Sequence, residues 1–253
     1  MIFLVCTYWN YYAQMSESIP KPQIYRYPDG QLMYQSFYQH GKLEGEFKFW
    51  YRNGQLSVQE YYRNGKREGK REHWYDDGKI SEEEFYTGGN LNGACRSWHE
   101  NGNLHVQEFY RHGRHEGEYK SWYEDGQLRK WEHYQNGEEE GECKVWYENG
   151  QLECREFCRN GKDDGKFMSW YEDGYPATRI FFRKGKEEGE VRRWDVNGNV
   201  YISYRRNSIV IRKFSLKKRR GFLAVKFYFY TTIHGSHPLT GFLIHDLSNL
   251  VIK

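Results

Sequence analysis

The sequence predicts an all-β protein: an elongated single antiparallel sheet of tandem β-hairpins, about seven full repeats after a partial first one. Three observations predict it. Gly30, Gly54, Gly78, Gly102, Gly126, Gly150, Gly174 and Gly198 are spaced by 24 residues without an insertion or deletion. Trp50, Trp74, Trp98, Trp122, Trp146, Trp170 and Trp194 keep the same step. Each glycine of the first series follows an Asp or Asn and lies between aromatic-rich runs, which is the strongest short-range hairpin signal.

The elements follow in chain order. Residues 1–24 open on "MIFLVCTYWNYYAQMSE" and are expected to form an N-terminal cap or leader. The apolar stretch at 2–6 is shorter than the ~7 to 15 residues of a secretion signal, so cleavage is not expected. The array then runs over residues 25–206. In "EGEFKFWYRNGQLSVQEYY", residues 44–62, one strand enters Asn53–Gly54 and a second leaves it. The segment "RNGKREG", residues 63–69, reads as the tight exposed connection to the next hairpin. Glycine recurs too often for helix, and no apolar face persists at a 3.6-residue period.

A two-residue turn at Asn53–Gly54 sets a trial register. It places Tyr51 opposite Leu56 on one face and Trp50 opposite Ser57 on the other. Down the array the first face would carry Tyr51, Tyr75, His99, Tyr123, Tyr147 and Tyr171 beside Leu56, Ile80, Leu104, Leu128 and Leu152, and the second the tryptophans. A longer loop would exchange some of these assignments. Equivalent rings would lie about 10 Å apart, and large amphipathic side chains would supply the burial that a thin sheet otherwise lacks.

The repeat unit, as in "YQHGKLEGEFKFWYRNGQL", resembles the MORN repeat in its 24-residue variant, found in proteins of the YwqK antitoxin type and in families of large DNA viruses. The resemblance covers roughly residues 25–206. It implies a twisted antiparallel sheet, and roles in membrane association, protein binding or scaffolding, with no catalytic residue to carry over. Pro176, Asp195, Arg205 and Arg206 depart from the pattern, marking the last repeats as degenerate caps.

Composition agrees. A mean hydropathy of −1.02 is offset by 19% aromatic residues, so the chain is folded but thin. Residues 30–206 hold 28 basic and 32 acidic residues, and residues 207–253 hold 8 and 1. A mildly acidic array is a poor general binder of nucleic acid or anionic lipid. The C-terminal segment is expected to supply capping strands or a partly disordered tail, with Phe222 onward closing the sheet edge. Lys217, Lys218, Arg219 and Arg220 are a candidate anionic contact, against the plainer reading of a solvated turn between two strands.

The five cysteines are scattered and odd in number, which reads as reduced thiols in an intracellular, cytoplasmic protein. No Cys-x-x-Cys, His-Glu-x-x-His, Gly-x-Ser-x-Gly or phosphate-loop pattern is present, so no catalytic residue, metal or cofactor is expected. His112 and His115 read as solvated loop residues. Glu44, Glu68, Glu116, Glu140, Asp164 and Glu188 recur with the repeat and read as architectural. The expected function is a non-catalytic scaffold for protein–protein interaction, with Trp74, Trp98, Trp122, Trp146, Trp170, Tyr123 and Tyr147 as the candidate surface. Membrane-surface association through the basic tail, antitoxin-like partner binding, and self-association through free sheet edges are the alternatives.

Overall fold

The structure is a computed structural model that describes residues 19–219 and 222–229. Among them every regular element is a strand. The chain divides into two units, Met1–Gly126 and Gln127–Lys253. Both are built from the same antiparallel hairpin repeat.

In the first unit, Gly45–Trp50 pairs with Leu56–Arg63, which in turn pairs with Lys66–Arg67 and Gly69–Trp74. The two Asn-Gly dipeptides do different jobs. At Asn64–Gly65 both residues have positive φ (52° and 76°), and Arg63 pairs directly with Lys66, so this is the two-residue hairpin turn whose twist matches the strands. The segment read as a connection is therefore a hairpin. At Asn53–Gly54 only the glycine has positive φ, 88°. The loop is five residues long, closed by Tyr51 N–H to the Gln55 carbonyl (2.8 Å) and by Gln55 N–H to Asn53 Oδ1 (3.0 Å).

The longer loop corrects the trial register at one point. Phe49 faces Val58 as a two-residue turn would require, but Trp50 faces Leu56, and Ser57 is the extra residue of a β-bulge. Leucine thus moves to the tryptophan face. Tyr51 leaves the ladder, and its hydroxyl donates to the Trp74 carbonyl of the next repeat at 2.7 Å. Tyr27, Tyr75 and His99 bond in the same way to the carbonyls of Trp50, Trp98 and Trp122. These bonds join each repeat to its successor.

The first strand, Lys21–Arg26, pairs with Leu32–Gln39 in the register of the later repeats. The rest of the predicted cap, residues 1–18, lies outside the described residues.

The second unit repeats this plan from Leu128–Gln135 to Val200–Arg206 and adds the strands Ile209–Arg219 and Phe222–Phe229. Tyr147 and Tyr171 donate to the Trp170 and Trp194 carbonyls. Asp195, flagged as a departure, binds the Asn197 and Asn199 amides and the Tyr201 hydroxyl, and the bulge is absent from this hairpin. Lys217, Lys218 and Arg219 pair with Ala224, Leu223 and Phe222, so the basic run belongs to a strand and not to a turn. Arg220 and residues 230–253 lie outside the described residues.

Side-chain alternation gives each sheet two unlike faces. The most buried residues, among them Ser36, Ser57, Glu60 and Cys95 in the first unit and Glu132, Cys143, Ile180 and Val191 in the second, occupy one face. Small residues and hydrogen-bonded carboxylates fill it, and the aromatic rings are mostly half-buried.

Candidate interaction surface

In each unit the buried face is organised around carboxylates of its own column. Glu60 is 5% exposed, and accepts from the Tyr62 hydroxyl (2.7 Å) and Arg67 Nε (2.8 Å). Glu84 accepts from Tyr86 (2.9 Å) and Arg71 (2.8 Å), and Glu132 from Tyr134 (3.0 Å) and Lys130 (2.7 Å). A buried carboxylate needs such donors, since an unpartnered one would be expelled or protonated. Burial, then the neighbouring Glu84, pushes Tyr86 up to about 12. Burial also raises Glu108, opposed by His115, whose Nε2 lies 3.5 Å away.

His115 is thus a partner of this column, stacked edge-on against Tyr110, and not a solvated loop residue as expected. His112 is exposed, in a hairpin turn at φ 51°. Burial also pushes the thiols up, Cys95 and Cys158 to about 12 and Cys154 to about 11. No group of three or more metal-ligating side chains gathers among the described residues. The recurring loop carboxylates cap turns: Glu44, Glu140 and Glu188 accept from the amides of Asn64, Asn160 and Asn207, and Glu68 from Gly88.

The opposite face is open. Trp74, Trp98 and Trp122 in the first unit, and Trp146 and Trp170 in the second, are all half-buried there. Trp74 faces Ile80, Trp98 faces Leu104, Trp146 faces Leu152 and Trp170 faces Pro176. The candidate Tyr147 is committed to the Trp170 carbonyl, and Tyr123 is half-buried with its carbonyl taking the Gly126 amide. Between the tryptophans lie ion pairs, cross-strand at Lys70–Glu83 (2.7 Å) and Arg96–Glu83 (2.8 Å) and within one strand at Lys144–Glu142 (2.8 Å). Such pairs fix side chains more than they stabilise, at about 0.2–1 kcal/mol each.

A further row on this face was not singled out from sequence: Phe37, Tyr61, Phe85 and Phe109, then Phe157 and Phe181 in the second unit. Gly45, Gly69, Gly93, Gly117, Gly141, Gly165 and Gly189, the third glycine series at the 24-residue step after those that begin at Gly30 and Gly41, make room for it. A Cβ on Gly93 would lie 3.3 Å from the Phe85 Cβ, and one on Gly165 2.9 Å from that of Phe157. At Gly189 nothing lies within 4 Å, and Phe181 is 39% exposed beside a groove of about 440 Å³.

Fold and surface together define a repeat scaffold of tandem β-hairpins with one open aromatic face in each unit. The sequence model of the MORN repeat variant matches residues 22–40, 43–64, 67–87, 91–112, 116–136 and 139–157, and the chain belongs to that family. MORN repeat proteins are generally non-enzymatic and often serve membrane or protein interaction. No curated protein matches the chain. Solved structures that match include "Crystal Structure of TcdB2-TccC3-TEV" and "Crystal Structure of TcdB2-TccC3 without hypervariable C-terminal region". Both are 9% identical, with TM-scores of 0.25 and 0.26. The alignments cover 87% and 86% of this chain but only 14% and 15% of those chains.

Proposed function

We infer that the chain is a non-catalytic scaffold that binds a partner protein over its open face. The observation that carries this reading is the recurring, half-exposed row of Trp74, Trp98 and Trp122 in one unit and Trp146 and Trp170 in the other, next to paired charges. Aromatic rings held partly buried in a rigid frame bind at little entropic cost and dominate interface energetics. The tyrosines support the frame, because their hydroxyls are spent on the next repeat. The test is capture from the source organism's lysate with the full chain, compared with Trp98→Ala and Trp170→Ala variants of unchanged circular dichroism. Loss of the same captured protein is expected. An unchanged captured set in both variants refutes the reading.

A second reading has one observation in its favour. Residues 175–229 contain fifteen Lys and Arg against four Asp and Glu, a charge suited to an anionic lipid surface. It predicts salt-sensitive sedimentation with anionic vesicles that is lost when Lys217, Lys218, Arg219 and Arg220 become Ser. Binding that persists in that variant refutes it.

A further inference from the structure

The strand Pro176–Arg183 carries Arg179, Phe181 and Arg183 at alternate positions on the open face, and Lys166 of Gly165–Trp170 lies directly across from Phe181. Three cations therefore surround one exposed ring. Among the described residues Lys166 and Arg183 have no ion-pair partner, while Arg179 shares Glu190 (3.2 Å) with Arg192. Met168, Ile180, the side-chain-free Gly189 and two carboxylates already engaged elsewhere, Glu188 with the Asn207 amide and Glu190 with Arg179 and Arg192, complete the groove of about 440 Å³.

The preceding hairpin shows what is special here. It has the same Arg155, Phe157, Arg159 pattern, but Glu142 lies across from Phe157 and pairs with Arg155, whose guanidinium lies 5.3 Å from the Phe157 ring centre. There the ring covers the glycine, and the carboxylate across from it holds Arg155. Replacing the glutamate position by Lys166 reverses the charge across the strand, and the Phe181 ring leaves Gly189 open. Lys70 holds the same place across from Phe85 but pairs with Glu72 and Glu83, partners that Lys166 lacks among the described residues.

We propose that this groove binds an extended acidic segment of a partner protein, with side chains alternating carboxylate, apolar, carboxylate along one face. The geometry favours a strand-like peptide. Arg179, Phe181 and Arg183 are spaced by ~6.8 Å, the repeat of alternate side chains in an extended chain. An apolar side chain seats over Phe181, Met168 and Gly189, and a carboxylate to either side meets a guanidinium in a charge-assisted bond. A lipid surface has no such one-dimensional register. The inference deepens the scaffold reading and rests on it for the class of partner.

The test uses the full chain and a fluorescein-labelled synthetic peptide, Asp-Ser-Leu-Ser-Asp flanked by glycines, with anisotropy read at low salt. Lys166→Glu, which restores the charge found at Glu142, and Arg183→Ser are each expected to weaken binding about tenfold, and Phe181→Ser by a similar factor. All three positions are exposed, so folding is preserved and is checked by circular dichroism. A peptide with its two aspartates adjacent is expected to bind at least about fivefold more weakly, because it loses the spacing. Equal binding of the two peptides, equal binding by Lys166→Glu, or displacement by anionic vesicles as effective as by unlabelled peptide overturns the proposal. Trp98→Ala separates the two readings. Peptide binding should survive it, so unchanged lysate capture by Trp98→Ala and Trp170→Ala refutes the tryptophan surface, whereas unchanged peptide binding by Lys166→Glu refutes the groove alone.

Discussion

Gly165 and Gly189 occupy equivalent places in successive repeats, and replacing each by alanine should have unequal cost. Gly189 has φ +78° and open space around the added Cβ, so Gly189→Ala bears only the left-handed backbone penalty, about 1–2 kcal/mol. Gly165 has φ +145°, a region almost reserved for glycine, where a side chain costs about 1–3 kcal/mol. Its added Cβ would also meet the Phe157 Cβ at 2.9 Å and Cγ at 3.4 Å. The first of these atoms cannot swing away, and overpacking of this kind adds about 1–3 kcal/mol. Gly165→Ala should therefore be the more destabilising by about 1–3 kcal/mol. Urea unfolding followed by tryptophan fluorescence measures the difference. Equal midpoints, or a larger loss at Gly189, would refute the account of why the third glycine series exists.

The remaining predictions concern the frame and its buried face. Tyr75→Phe removes the 2.6 Å bond to the Trp98 carbonyl and should lower unfolding stability by about 1 kcal/mol, measured by urea titration. Glu108 has its pKa raised by burial, so its folded form holds a proton more tightly than its unfolded form. Its contribution therefore makes stability fall as pH rises from the ordinary glutamate range through the raised value. Glu108→Gln should flatten that slope and leave stability at pH 7 unchanged or higher, and thermal unfolding across pH 4–7 tests it. With Cys6 replaced by Ser, the other four thiols should react slowly with a chromogenic disulfide at pH 8 and quickly in urea, since burial raises all four.

The ladder was legible in the sequence because its spacing never slips, and its hairpins because Asn-Gly marks turns. The difference between the two Asn-Gly turns was not, since the same dipeptide serves both. At Asn53 the side chain closes its own loop and reaches the Asp76 carbonyl of the next repeat, a contact known only after the repeats are stacked. The carboxylate column was equally hidden. The recurrence of Glu60 and its equivalents does not tell that they are buried until Tyr62 and Arg67 are placed beside Glu60. Of the candidate surface, the tryptophans stand on the open face, whereas Tyr147 bonds to the scaffold itself. Lys166 departs visibly from Glu142 in sequence, but its meaning depends on knowing that each lies across from a phenylalanine.

Hydroxyl-radical footprinting of the native chain, read against the urea-unfolded chain, tests the two-faced sheet most directly at Ile180 and Phe181. These neighbours are 6% and 39% exposed. Oxidation of Phe181 together with protection of Ile180 is the predicted result. Equal protection of both, or oxidation of Ile180 with Phe181 shielded, would contradict the assignment of one closed and one open face.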